Sequence, residues 1–333
     1  VQSDGGSLQG NFILRSDVTL ESTIYIQNGT SLTIDLNGHT ITFPEGKGRV
    51  CLCYETGELT IKDSSPGKTG VITGGSGDRG GFCYLIGKFN FLGGTIKNAH
   101  ATYNAKEAFN YEYAYTNGVG GAVYVYAGAT FIMDGGNIED CSAYSHTWSS
   151  DFNTYVNGKY YSAIGWMPHM GGAVFINAYT DGSRGKFHFK SGTIKNCFSG
   201  AGGAVCVHVA QSSSAAAGSA GEFIMDDGKI IDCKGDYLYN NYNYGGGAVF
   251  VAGKNNLAAK FIMYGGTISG CTSATHGGGI KTNGIVEMHG GTITDCHCTI
   301  ASHGQNFGGG VHLFRKAKFT MTGGTISNCN ASS

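Results

Sequence analysis

Proline and charged residues are both scarce in this chain. Only 3 of its 333 residues are proline, and charged residues make up 14%, against about 25% in an ordinary soluble domain. The net charge is −1, and no basic stretch stands out from the rest. Because binding to nucleic acid needs a basic surface that pairs with phosphates, we expect no nucleic-acid partner.

Long apolar runs and metal-binding spacings are missing as well. No run approaches the about 18 apolar residues of a membrane-spanning helix, so we expect no membrane span. Neither H-x-x-x-H nor H-E-x-x-H occurs, and these are spacings typical of zinc sites. The sequence therefore indicates neither a metal nor a cofactor.

Glycine, in contrast, is abundant, and much of it lies in two repeated phrases. The chain has 57 glycines. The first phrase is roughly F-x-M-x-G-G-T-I-x-x-C, and the second is G-G-[AG]-[VI]. Self-similarity of this kind is the signature of a repeat architecture. Copies of the first phrase begin at Phe89, Phe131, Phe187, Phe223, Phe261, Val286 and Phe319.

Both phrases have the chemistry of β-strands. In the copy that begins at Phe131, Phe131 and Met133 alternate with Ile132 and Asp134, which is a period of two. The insertions between copies fall at only two corners, as expected if strands must stack while corners are free to vary. The sequence predicts an all-β, right-handed parallel β-helix with three short strands per rung.

Stacked rungs place equivalent residues in columns. The phenylalanines, methionines, isoleucines and cysteines of the first phrase are predicted to form four internal columns. The residue before each cysteine is Asn or Asp in most copies and Gly270 in one. These residue types predict a left-handed turn conformation at that position.

The chain is predicted to form one domain over residues 1–333. Residues 1–80 lack the full phrase and are expected to form N-terminal capping rungs. Residues 81–329 carry the repeats, and residues 330–333 are a short tail. No comparable cap follows Cys329, so an end-to-end contact with another copy of the protein is one expected way to cover the last rung.

Eleven cysteines leave two alternatives open. Rungs stack at about 4.8 Å, a separation that allows vertical disulfides. Small apolar thiols also stack easily in a buried column. The even repetition of inward positions favours free thiols.

The two phrases resemble those of right-handed parallel β-helix proteins of the pectin-lyase-like superfamily. More narrowly, they resemble repeat-rich proteins that bacteria secrete or display on their surface. The segment 32–41, Leu-Thr-Ile-Asp-Leu-Asn-Gly-His-Thr-Ile, is similar to the first rungs of such proteins. The resemblance covers about residues 12–329 and implies the fold and an extracellular or cell-surface location. It does not imply one activity, since this fold hosts lyases, hydrolases and adhesins alike.

The carbohydrate-active members that the chain resembles use carboxylate sites, and those motifs are largely missing here. Of the polygalacturonase-like motifs only Asp226-Asp227 matches. An alternative remains in which a lyase or glycoside hydrolase uses a cleft between corner loops. Its candidate catalytic residues are Asp151, Asp181, His169 and Arg184.

Aromatic residues crowd the corner loops at 103–115, 142–170 and 237–244. Rings with polar tips suit surfaces that bind sugars or proteins. The alternative is that these rings pack on each other as a second core. The candidate binding residues are Tyr111, Tyr113, Tyr124, Trp148, Tyr155, Tyr160, Trp166, Phe175, Tyr242 and Tyr244.

Together these features favour a non-catalytic extracellular or cell-surface protein. Its expected partners are a glycan, a surface protein, or further copies of itself in a filament. The enzyme is the second hypothesis, with a polysaccharide as its substrate.

Overall fold

The chain is all-β where its structure is described. The computed structural model describes residues 7–44, 46–102, 118–143, 169–210, 216, 218–235, 245–254, 256–299 and 307–331, and the backbone alone of residues 154–156 and 159–161. Within these ranges every regular element is a strand, and no helix occurs. The predicted all-β class is confirmed, and the sheets are long and parallel.

The first phrase forms one large sheet with two halves. The F-x-M half pairs ten strands in parallel, each with its equivalent in the neighbouring copy. Its strands are β1 (Gly10–Ile13), β4 (Ser31–Asp35), β7 (Glu58–Lys62), β11 (Lys88–Phe91), β15 (Thr130–Glu139), β20 (Lys186–Lys195), β23 (Glu222–Met225), β29 (Lys260–Met263), β33 (Ile285–Met288) and β37 (Lys318–Met321).

The G-T-I half pairs in the same way and joins the F-x-M half through the two long strands β15 and β20. Its other strands are β2 (Val18–Thr19), β5 (Thr40–Phe43), β8 (Val71–Gly74), β12 (Thr95–Lys97), β24 (Lys229–Ile231), β30 (Thr267–Ser269), β34 (Thr292–Thr294) and β38 (Thr325–Ser327).

The second phrase forms the G-G-A-V sheet, which has nine parallel strands. They are β3 (Ile24–Ile26), β6 (Cys51–Cys53), β10 (Cys83–Leu85), β14 (Val123–Val125), β19 (Val174–Ile176), β22 (Val205–Val207), β26 (Val249–Val251), β32 (Ile280–Thr282) and β36 (Val311–Leu313).

A fourth strand segment, only two residues long, follows each cysteine position and forms an eight-stranded sheet. The copies that carry this segment therefore have four strand segments where the sequence predicted three, because a two-residue segment is too short to show a period. The strands are β9 (Ser76–Gly77), β13 (His100–Ala101), β16 (Ser142–Ala143), β21 (Phe198–Ser199), β25 (Lys234–Gly235), β31 (Thr272–Ser273), β35 (His297–Cys298) and β39 (Asn330–Ala331).

Two small antiparallel pairs complete the described strands. They lie in the connections between copies and join β17 (Thr154–Val156) to β18 (Lys159–Tyr161) and β27 (Gly253–Lys254) to β28 (Leu257–Ala258).

The predicted internal columns are confirmed. Phe187 stacks on Phe131 at 4.7 Å and on Phe223 at 5.0 Å, with ring planes within 8° of parallel. The methionine and isoleucine columns are paired in register as well. These side chains are buried in the inner copies and form one continuous apolar core.

The paired glycines of the second phrase have two different roles. The first glycine of each pair has a positive φ, for example 64° at Gly202. The second has no room for a side chain, since a Cβ on Gly203 would lie 2.2 Å from the carbonyl oxygen of Gly247. One position thus needs the left-handed conformation, and the other allows neighbouring copies to approach closely.

The predicted left-handed position before the cysteine is also confirmed. The φ angles of Asn98, Asp140, Asn196, Asp232, Asp295 and Asn328 lie between 52° and 55°, and that of Gly270 is 64°. Short polar side chains tolerate this conformation better than other non-glycine residues do.

All eleven cysteines are free thiols, and ten of them are buried. The thiols of the cysteine column lie 3.1–3.4 Å from the backbone carbonyl oxygen two residues earlier in the chain. This repeated local contact gives each buried S–H group an acceptor. Of the two alternatives, the column of thiols is therefore the one observed.

Candidate functional site

Most of the predicted aromatic corner lies outside the described residues. Tyr155 and Tyr160 are described by their backbone only, as directly opposed residues of the β17–β18 pair. Of the ten candidate binding residues, only Tyr124 and Phe175 have described side chains. Those outside the described residues are Tyr111, Tyr113, Trp148, Trp166, Tyr242 and Tyr244.

Tyr124 and Phe175 are buried, which corrects their prediction as exposed, ligand-contacting rings. Tyr124 is 1% exposed and Phe175 is completely buried. Their rings stack on each other at 5.6 Å, and the amide of Asn177 donates a hydrogen bond to the Tyr124 hydroxyl at 2.8 Å. At these two positions the rings pack as a second core, which was the alternative that the sequence left open.

Three half-buried tyrosines border the buried rings on the G-G-A-V sheet. Tyr84 packs against Tyr124 at 5.1 Å and Tyr126 at 6.0 Å, and Tyr126 packs against Tyr179 at 5.0 Å. Tyr84, Tyr126 and Tyr179 are half-buried. Burial raises the pKa of Tyr84 to about 12.

Two arginines border these tyrosines. The guanidinium of Arg49 lies 5.0 Å from the centre of the Tyr84 ring and forms an ion pair with Asp78. Arg49 also donates a hydrogen bond to the backbone carbonyl of Arg79 at 3.0 Å, and Arg79 lies 3.7 Å from the other carboxylate oxygen of Asp78. We call this cluster the Arg–Tyr patch. It consists of Arg49, Asp78, Arg79, Tyr84, Tyr126 and Tyr179, of which Arg79 is buried and the other five are half-buried.

The sequence did not predict the Arg–Tyr patch. Tyr84 is the central residue of β10 and pairs in register with Tyr124, and Tyr126 follows β14 directly, so the repeat does reveal these two positions. Arg49 and Asp78, however, lie 29 residues apart in segments without the repeated phrases. Nothing in their local sequence indicates that they meet.

The predicted catalytic residues are engaged with different elements. The carboxylate of Asp181 is exposed and accepts hydrogen bonds from the backbone and hydroxyl of Ser183 at 2.8 and 2.6 Å. These bonds lower the pKa of Asp181. Arg184 lies in the same turn, where it bridges to Ala178 through the backbone.

His169 precedes β19, whereas Asp181 and Arg184 follow that strand. Its Nδ1 lies 3.1 Å from the carbonyl oxygen of Gly118, and burial lowers its pKa. The fourth candidate, Asp151, lies outside the described residues. Asp181 and His169 therefore hydrogen-bond to different segments, and the catalytic roles of these residues stay predictions.

A buried basic cluster, which the sequence did not predict, follows the aromatic column at its C-terminal end. Lys281 is completely buried, and its Nζ lies 4.8 Å from the centre of the Phe314 ring. The His276 and His312 rings are 4.8 Å apart. Burial lowers the pKa of Lys281 to about 7 and those of His276 and His312 to about 4.

Comparison with protein families, curated proteins and solved structures finds no match for this chain. Within the described ranges, no helix is long and apolar enough to cross a membrane. In the same ranges, no three His, Cys, Asp or Glu side chains are grouped as metal ligands would be. The geometry described above is therefore the basis for assigning a function.

Proposed function

We propose that the protein is a right-handed parallel β-helix that acts outside the cell or on its surface as a binding or structural module. The in-register parallel pairing of every described copy supports this architecture. The resemblance of its phrases to those of pectin-lyase-like repeat proteins supports the location. Its partner would be a glycan, a surface protein, or further copies of the protein in a filament.

The observation that carries this proposal is the Arg–Tyr patch. Tyrosine and arginine are the residue types enriched where proteins bind partners, because they combine a large contact area with polar groups. The patch is also rigid, since its rings and guanidinium groups hold one another in place. A rigid surface loses little conformational entropy when it binds.

Binding and turnover are tested together. The purified chain is applied to an array of neutral and acidic glycans and to immobilised collagen, fibronectin and laminin, and glycan solutions are assayed for new reducing ends and unsaturated products. We expect binding to at least one surface without turnover. The double variant Tyr126→Ala/Tyr179→Ala should bind at least one of these partners at least tenfold more weakly.

Lys229→Ala is the matched control, because Lys229 is exposed on the G-T-I half of the other sheet. It should bind as the unaltered chain does. Turnover of a glycan, or equal binding of every partner by the double variant and the control, would contradict the proposal.

A further inference from the structure

The F-x-M half of the large sheet carries a row of outward side chains one residue beyond the methionine column. The backbone ladder continues through this row. The amide of Tyr264 donates to the Met225 carbonyl, and those of His289 and Thr322 donate to the carbonyls of Met263 and Met288, each at 2.8 Å. Side chains at these positions therefore follow one another at about 4.8 Å. The row reads Leu92, Asp134, Lys190, Asp226, Tyr264, His289 and Thr322, with a register shift between β15 and β20 that pairs Asp134 with Ser191 rather than with Lys190.

Tyr264 is the exposed aromatic ring of this row, with 53% of its surface accessible. Apart from Leu92, the other exposed large apolar side chains, such as Phe12 and Ile326, lie in the first or last described copies. Tyr264 instead lies beside β29, which is paired on both edges. Its exposure is therefore not a consequence of an open sheet edge.

The Tyr264 ring is held in one orientation. The His289 ring stacks on it at 5.2 Å with an interplanar angle of 18°. His289 is itself held by a hydrogen bond between its Nδ1 and the Thr322 hydroxyl at 2.8 Å, and its Nε2 lies 3.7 Å from a Glu287 carboxylate oxygen. Lys260 holds Glu287 at 3.0 Å. The ring is thus fixed before any ligand arrives.

Polar groups lie on the other side of Tyr264. Asp226 occupies the preceding position of the row, and its carboxylate lies 2.5 Å from Nε2 of His188. Both side chains are partly accessible, His188 by 32% and Asp226 by 43%. The next position holds Lys190, which lies 3.9 Å from Asp134. A short carboxylate therefore separates the tyrosine from a lysine in the row.

We propose that Tyr264, with Asp226, His188 and Glu287, forms a binding site for a neutral pyranose-containing glycan. A pyranose ring presents C–H groups on its face, which pack on an aromatic ring, and hydroxyls around its edge, which need donors and acceptors. Tyr264 supplies the aromatic surface, and the carboxylates and imidazole supply the polar partners. The carboxylates of Asp226 and Glu287 are already paired with His188 and Lys260. We therefore expect the site to prefer an uncharged sugar.

This site is independent of the Arg–Tyr patch, because it lies on a different sheet and shares no residue with it. Either one can fail while the other stands.

Isothermal titration with cellohexaose, xylohexaose, mannohexaose and maltohexaose tests the site, and trigalacturonate serves as the charged comparison. We expect at least one neutral oligosaccharide to bind more tightly than trigalacturonate. Tyr264→Ala should weaken that binding at least tenfold, and Tyr264→Trp should retain it because the ring surface remains. Asp226→Asn should weaken binding less, since the amide keeps an acceptor oxygen.

Leu92→Ala is the matched control, because Leu92 occupies the same row in an earlier copy and is 45% exposed. It should bind as the unaltered chain does. The inference is overturned if no neutral hexasaccharide binds at millimolar concentration, or if Tyr264→Ala and Leu92→Ala have equal affinities. Circular dichroism of each variant shows that the fold is retained, and Tyr126→Ala/Tyr179→Ala should leave this binding unchanged.

Discussion

At the scale of single residues, the second glycine of each G-G-A-V phrase is set by the distance between copies. A Cβ at Gly121, Gly172, Gly203 or Gly247 would lie between 2.0 and 2.2 Å from a carbonyl oxygen of the next copy. No L-amino acid with a side chain fits without moving that backbone. The recurrence of this glycine therefore follows from close packing rather than from a requirement for an unusual φ.

Gly203→Ala is expected to lower the free energy of unfolding by about 3 kcal/mol, at the upper end of the cost of overpacking. The added methyl group would meet the backbone of both Gly247 and Lys234, at 2.2 and 2.5 Å. Gly67→Ala is the control, because its nearest neighbour is the flexible side chain of Thr69 at 3.2 Å. Urea unfolding followed by circular dichroism measures the stability of both variants. Equal unfolding midpoints for Gly203→Ala and Gly67→Ala would contradict the packing argument.

At the scale of elements, the outer face of the G-G-A-V sheet is the unusual surface. Its central residues change from aromatic, as at Phe175, to basic, as at Lys281, while remaining buried. His208 packs against Phe175 at 5.2 Å, and burial lowers its pKa to about 4. Buried bases of this kind make the stability of these strands depend on pH.

Acidification is expected to destabilise the chain between about pH 6.5 and pH 4. An exposed histidine in the unfolded chain has a pKa of about 6.5, whereas the folded pKa values of His208, His276 and His312 are about 4. Below pH 6.5 the unfolded chain therefore binds more protons than the folded chain. The contribution of these histidines to the free energy of unfolding is fully present above pH 6.5 and is lost as the pH falls through 4.

Thermal unfolding between pH 8 and pH 4 measures this effect. His208→Phe should reduce the loss of stability over that range by roughly 3 kcal/mol, since one unit of pKa shift is worth about 1.4 kcal/mol. His39→Gln is the control, because His39 is partly exposed and lies 3.5 Å from Asp17. A pH profile unchanged by His208→Phe would show that this histidine is not the acid-sensitive group.

At the scale of the whole molecule, each copy of the repeat pairs with the copies before and after it. β29, for example, pairs with β23 on one side and β33 on the other. The free energy of unfolding in such an arrangement is approximately the sum of the contribution of each copy and the contribution of each interface between neighbouring copies. One complete copy is then removable without disturbing the pairing of the rest.

Deletion of residues 272–296 removes one copy and joins Cys271 to His297. We expect a folded chain with the same circular dichroism per residue and an unfolding temperature lower by only a few degrees, because β29 can pair with β37 in the same register. The control deletes residues 272–284, which is fewer residues but only part of a copy. This variant should lose the fold, because strands from different positions of the repeat would then lie opposite one another. Equal tolerance of both deletions would contradict the repeat arrangement.

The sequence by itself determined the all-β class, the internal columns and the left-handed turns. Phe187 stacks on Phe223, and Asp140 has a φ of 52°, because residues that repeat in the chain repeat in space. For such positions the local pattern carries the information, since a period of two fixes the side of the sheet and a short polar residue suits a left-handed turn.

Only the tertiary structure decided which outward residues are accessible. Tyr124 and Tyr264 both face away from the internal columns, yet one is 1% exposed and the other 53%. Alternation along a strand gives the direction of a side chain, whereas its exposure depends on segments remote in sequence that lie over it. The same reason explains why Arg49, Asp78 and Tyr84 meet in one patch that no local phrase indicates.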